Sequence, residues 1–363
     1  MSKTRNSSLE LLRIISMLFI ICSHFCVHGG FDIGNTDLIF NRIILQVGAL
    51  GNLGVDIFVM ISGYFLSQTR FKLSRVVKVV LQVLFYSVSI YLILAVLNVI
   101  PFTIKDAIKS VLPILLKLYW FATAYVILCV LTPFLNKLLN GLAKNQYIAF
   151  LGVMLFIWSV IPTFTTINMY SNEIIQFVML YSIGAFVRKY PDISFAKRYR
   201  YWITFVSAFL LVMSTVAFNL LAQVTNTAFY KHGNYFYSRY SVLTIALAYG
   251  LLLIFTNFKN ISNYTINLVS STTFGIYLIH DNRYLREVIW NDIFRVNEFS
   301  DKPYLVLYLL ACVIIIFIVC AIIDYIRQKL FEKPVMHFLE PVLNRINDKL
   351  RGFTAKKKQP DTY

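Results

Sequence analysis

The 363 residues are 58% hydrophobic and 14% charged, against about 25% charged in an ordinary water-facing domain. Mean hydropathy is +0.67, more apolar surface than one soluble fold can bury, so the expected class is an all-α integral membrane protein. The balance of 34 Lys+Arg over 17 Asp+Glu, net +17, does not point to nucleic acid as a partner, because the basic residues fall between apolar runs rather than in one patch.

In chain order, the first apolar run, at 9–27, follows basic residues as a secretory signal would. Arg13 and His24 interrupt it and no small-residue cleavage site follows, so it is expected to be a retained span. Further runs of spanning length lie near 48–66, 76–100, 115–136, 147–162, 173–187, 201–222, 241–258, 267–280 and 304–324. Together they make about ten transmembrane helices in a lipid bilayer, the sixth and ninth being short. With both termini cytoplasmic, about 24 of the 34 Lys+Arg fall on the inner side, among them Lys3, Arg5, Lys259 and nine in the C-terminal tail, the bias the positive-inside rule demands. The expected organisation is a transmembrane domain over 1–330 and a basic cytoplasmic tail over 331–363. The stretch 281–302 reads as an outer loop of mixed charge, and His28 as solvated surface. The five cysteines show neither CxxC nor Cys/His metal spacing, so no metal is expected and they read as packing residues.

Ionisable side chains inside a span are expensive and therefore functional candidates. Arg13 and His24 are eleven residues apart, which returns to within roughly 20° on a helix and separates them by about 16 Å. One stripe thus carries a cation near the inner surface and an imidazole in the outer third of the bilayer. Asp56, in the second span, and His280, at the outer end of the ninth, fall at a similar depth to His24, and either carboxylate or imidazole is a candidate orienting partner for it. Arg70, Arg75 and Lys78 cluster after the second span, where basic residues also serve topology.

Four segments resemble the acyltransferase-3 type of multi-pass membrane O-acyltransferases. Arg13 and His24 match an Arg-x10-His signature; GNLGVDIFVMISGYFLS, residues 51–67, is similar to Gly-Val-Asp-x-Phe-Phe-x-x-Ser-Gly-Tyr; KLYWFATAYVILCVLTPFLN resembles a Trp-Phe…Pro-x-Leu-Asn helix; and TTFGIYLIH resembles a closing Gly-Ile-Tyr-Leu-x-His. They run in order from residue 9 to residue 280. One departure stands out: where the family commonly shows Arg-x-x-Arg, this chain reads Arg75-Val-Val-Lys78, and a lysine lacks the bidentate fork of arginine.

The resemblance implies an O-acetyltransferase taking an acyl group, by analogy acetyl, from cytosolic acyl-CoA to a hydroxyl of an extracytoplasmic or lipid-linked sugar or polysaccharide at the plasma membrane. It implies catalytic roles for His24, Asp56 and His280, and donor-phosphate roles for Arg13, Arg70, Arg75 and Lys78. Ser62, Tyr64 and Trp120 are expected to line the substrate pocket. Buried Arg, His and Asp in a ten-span bundle also suit a secondary transporter or a flippase, a reading that leaves the combination of stripe, Gly-Val-Asp and Arg75 cluster without a use.

Overall fold

The computed structural model describes residues 6–165, 167, 172–192, 194–258 and 262–355. Lys3, Arg5, Lys259 and the end of the basic tail, 356–363, lie outside the described residues. Among those described there is no strand. The helices in order are α1 (Ser7–His28), α2 (Ile39–Val47), α3 (Gly51–Leu66), α4 (Leu73–Val96), α5 (Ile104–Val111), α6 (Trp120–Gly141), α7 (Lys144–Leu155) and α8 (Ile161–Thr165). They continue with α9 (Glu173–Lys189), α10 (Ser194–Thr225), α11 (Val242–Thr256), α12 (Tyr264–His280), α13 (Leu285–Glu287), α14 (Leu305–Arg327) and α15 (Lys333–Ala355).

Helices stand at all ten expected places, and 8 segments among the described residues are long and apolar enough to cross a membrane. The helices α9 and α12, 17 residues each, reach only about 25 Å, short of a hydrocarbon core of about 30 Å. Both are largely buried inside the bundle. The outward face of α14 shows why the chain belongs in lipid: Leu307, Leu310, Ile314, Ile318 and Ile322 form an exposed stripe at helical spacing, while Leu305, Leu309, Val313 and Ile316 point inward. Such a stripe would be an aggregation liability in water.

The caps are local and sequence-encoded. Asn6 accepts from the Ser8 amide at the start of α1, Asn172 accepts from the Ile174 and Ile175 amides at the start of α9, and Asn263 accepts from the Ile266 amide at the start of α12. Each satisfies amides that have no partner within the helix. Expectation and structure differ at the fourth span, which begins at Trp120 rather than near 115. Pro113 and the left-handed backbone of Lys117 (φ 51°) break the helix there. The outer stretch 281–302 is folded rather than a free loop: α13 runs into a π turn, Val288–Ile293, and Trp290 on that turn is fully buried.

The central element is α3, with Leu53 to Gly63 buried without interruption. It packs on α1, α9 and α11. Its contact with α9 is backbone on backbone: a Cβ on Gly63 would lie 2.1 Å from the Tyr181 carbonyl, and one on Gly184 would lie 1.9 Å from the Met60 carbonyl. Any side chain at either position would push the two helices apart.

A polar cluster running from the middle of α12 toward the basic end ties α4, α12 and α14 together. The fully buried Asp324 accepts from Gln82 Nε2 (3.1 Å), the Tyr86 hydroxyl (2.8 Å), Arg327 Nε (2.8 Å) and Gln328 Nε2 (2.7 Å). Arg327 also donates to Glu332 (2.7 Å), which Lys78 Nζ meets at 2.6 Å. A Cβ on Gly275 would lie 2.0 Å from Asp324 Oδ1, so α12 approaches the carboxylate only because that residue is glycine. The described part of the tail is helical, chiefly as α15, which packs against α4.

Candidate active site

The helix α1 carries its polar groups on one face, and both ends of that face are engaged. At the basic end Arg13 Nη1 lies 2.8 Å from Glu10 Oε2, and the Ser270 hydroxyl of α12 donates to the same carboxylate oxygen. At the other end His24 Nδ1 lies 2.9 Å from His280 Nε2, and His280 Nδ1 lies 2.6 Å from the Ile276 carbonyl oxygen. A carbonyl only accepts, so His280 Nδ1 carries the proton and donates it. In the neutral ring His280 Nε2 then accepts, which makes His24 Nδ1 the donor and leaves His24 Nε2 with the free lone pair. The two contacts of His280 therefore fix the tautomer of His24, the second-neighbour detail on which general-base work depends.

The His24 face opens on a cavity of about 290 Å³ lined by Met17, Ile20, His28, Asn52, Val55, Phe58, Trp120, Phe121, Arg239, Phe274 and Tyr277, among others. That volume sits at the lower edge of small-molecule sites, about 300 Å³. Phe58 joins the two ends of the stripe: it lines the cavity and lies under the Arg13 guanidinium, 5.5 Å from its ring centre. Trp120 lines the cavity beneath the Arg239 guanidinium, 4.3 Å away.

The expected site residues divide. His24, His280 and Trp120 come together at the cavity. Asp56 does not meet His24: its Oδ1 accepts from Gln176 Nε2 (3.1 Å), and the same Gln176 nitrogen donates to the Arg239 carbonyl (2.6 Å). Depth was matched but azimuth was not. Asn52, Val55 and Phe58 line the cavity at intervals of three residues, and Asp56 sits one step, about 100°, off that stripe, facing α9. Its geometry is that of a positioning residue for the segment bearing Arg239. Ser62 is buried, donates to the Phe58 carbonyl (2.9 Å) and lies 3.3 Å from the Tyr125 hydroxyl, outside the cavity lining. Tyr64 stands at the basic end, its hydroxyl accepting from Arg188 (3.0 Å), and does not line the cavity.

Of the expected phosphate ligands, Arg70 and Arg75 are exposed at the basic end, with Arg75 donating to Thr69 Oγ1 (2.9 Å). Lys78 instead pairs with Glu332 as part of the Asp324 cluster. Glu332 thus competes with a phosphate for its ammonium group.

Sequence reasoning missed two residues beside His24. His28, one turn further along α1, is three-quarters buried rather than solvated, and its Nε2 lies 3.5 Å from Asp281 Oδ1. Asp281, the residue after α12, is 8% exposed. Its Oδ1 is 3.8 Å from His24 Nδ1 and 3.8 Å from Arg286 Nη1, and makes no hydrogen bond. The i, i+4 spacing of His24 and His28 was the available signal for the first. Nothing local in the sequence marks the second.

A family model described as an acyltransferase domain, acyltransferase 3, matches residues 6–324. The chain belongs to the acyltransferase-3 family. No curated protein and no solved structure matches it. As a member of that family the chain is a multi-pass membrane acyltransferase, and the matched residues reach from the cap of α1 to Asp324 of α14, so the His24, His28, His280 and Asp281 cluster lies wholly within the match, whereas the Asp324 cluster runs past its end through Arg327, Gln328 and Glu332.

Proposed function

We propose that the chain transfers an acyl group, acetyl by resemblance, from cytosolic acyl-CoA to a hydroxyl of an extracytoplasmic or lipid-linked sugar, with His24 as general base. The observation that carries this reading is the Ile276–His280–His24 relay opening on the cavity. His24 Nε2 takes the proton of the acceptor hydroxyl as its oxygen attacks the thioester carbon. The C–S bond breaks, an ester C–O bond forms, and the proton passes on to the leaving CoA thiolate. The carboxylate of Asp281, 3.8 Å from His24 Nδ1, stabilises the imidazolium formed on the way. Arg239 and the buried Tyr277 hydroxyl, which has no hydrogen-bond partner in the resting site, line the same cavity and supply donors for the carbonyl oxygen as it gains charge.

With the basic end facing the cytoplasm, Arg70 and Arg75 meet the phosphates of CoA, and its pantetheine arm spans the roughly 16 Å from Arg13 to His24 along the α1 stripe. Phe58 stands between those two ends.

The test uses sealed inside-out vesicles containing the protein or His24→Ala, labelled acetyl-CoA and the host's surface glycan fraction. Base-labile label in the glycan that requires His24 is the expected result. Full transfer by His24→Ala present at normal levels would remove the assignment.

A further inference from the structure

We propose that His24, His28 and Asp281 form a binding site for a divalent transition metal ion, zinc fitting best, and that an ion held there turns the transfer site off. The binding half stands on geometry alone; the switching half rests on His24 being the general base.

One ligand atom from each of the three residues lies within 4.8 Å of the other two. Asp281 Oδ1 is 3.5 Å from His28 Nε2 and 3.8 Å from His24 Nδ1. Tetrahedral zinc ligands at about 2.0–2.1 Å from the metal sit about 3.3 Å from each other. The two imidazole–carboxylate pairs thus need to close by only a few tenths of an ångström, and the two imidazoles, whose ligand atoms lie within 4.8 Å of each other, by no more than about 1.5 Å. Asp281 Oδ1 is buried and accepts no hydrogen bond, a costly state for a carboxylate oxygen that a metal ion would relieve. Two imidazoles and one carboxylate are a zinc-type donor set, whereas magnesium and calcium prefer all-oxygen sites. Both histidines line the cavity, so the fourth position is open to water. Arg286, 3.8 Å from Asp281 Oδ1 with its side chain 35% exposed, is the competing cation and has room to withdraw into solvent.

The switch follows from proton counting on one ring. A neutral imidazole has one lone pair. While His24 Nδ1 donates to His280, the lone pair is on Nε2 and can take the acceptor's proton. A metal ion on Nδ1 sends the ring proton to Nε2, which then has no lone pair to offer, and the His280 hydrogen bond is lost as well. Metal occupancy and general-base work by His24 exclude each other, with no change of oxidation state.

The purified protein in detergent would be titrated with Co²⁺, whose visible absorption reports tetrahedral coordination, and then with Zn²⁺ as competitor. Acetyl transfer would be measured over the same Zn²⁺ series and expressed relative to each variant's own metal-free rate. The expected result is one Co²⁺ per chain, displaced by Zn²⁺, with the absorption lost in His28→Ala and Asp281→Asn. The Zn²⁺ concentration that halves transfer should rise at least tenfold in His28→Ala. Absence of the absorption in the unmodified protein, or its survival in His28→Ala, overturns the site. Stoichiometric binding with undiminished transfer leaves the site standing and overturns the switch. A chain that transfers no acyl group at all also overturns the switch, and the Co²⁺ spectrum still decides the site.

Discussion

Two clusters of buried ionisable groups stand at different depths along α12, one against Gly275 and one at its outer end, and they are built on opposite plans. Asp324 is surrounded by four donors, from α4, from α14 and from Gln328 just past it, and, through Arg327 and Glu332, reaches Lys78. Asp281 has three basic groups at 3.5–3.8 Å and a hydrogen bond to none of them through Oδ1. The first arrangement meets both carboxylate oxygens with donors, and the glycine at 275 lets α12 pack directly against it. The second keeps its groups near a cavity and short of contact, poised for a partner that arrives later. Satisfied burial marks a joint of the fold; unsatisfied burial beside a cavity marks chemistry.

The sharpest break of that comparison separates activity from stability. His24→Ala should lower transfer by about 10²–10⁴-fold, the usual range for a general base, while the melting temperature in detergent stays within a degree or two. Asp324→Ala should do the reverse. It strands Arg327, which is 4% exposed, and removing one partner of a buried pair costs about 3–5 kcal/mol. Thermal unfolding and the amount of protein reaching the membrane are the readouts. A silent Asp324→Ala would mean that its donors are not a joint. Next in size, His280→Ala frees the tautomer of His24 without removing the base, so transfer should drop by about tenfold to a hundredfold, with the acyl-CoA KM unchanged.

The α1 stripe was legible because helical geometry alone places Arg13 and His24 on one face, and the apolar runs located the helices because spanning a bilayer demands length and apolarity together. What stayed hidden depends on contacts between elements. Asp56 matched His24 in depth, but it turns to Gln176 on α9, against which α3 packs closely at Gly63 on Tyr181 and at Met60 on Gly184, and no single helix encodes that packing. Asp281 follows α12 in a stretch whose mixed charge suggested solvent, and it is buried because α13 and its π turn fold back with Trp290 inside. Lys78 looked like its neighbours Arg70 and Arg75; only the position of Glu332, beyond α14, assigns it to the other cluster.

Asp56 tests whether the division is as clean as the geometry makes it. Asp56→Asn keeps an oxygen for Gln176 and should cost about 1 kcal/mol of stability and less than tenfold in transfer. A loss as deep as that of His24→Ala would move Asp56 into the transfer chemistry and blur the line between the two plans.

The smallest effects belong to the basic end. Arg75 and Lys78 are three residues apart on α4, yet one is free to meet a phosphate and the other is held by Glu332. Arg75→Ala should raise the KM for acyl-CoA about tenfold, the worth of one charge-assisted hydrogen bond, with kcat little changed. Lys78→Ala should leave that KM within twofold. It should cost no more than about 1 kcal/mol of stability, since the Lys78 side chain is 50% exposed and solvent screens its half of the pair. Equal KM effects at the two positions would show that the Glu332 pair opens to admit the donor and that the joint at this end also binds substrate.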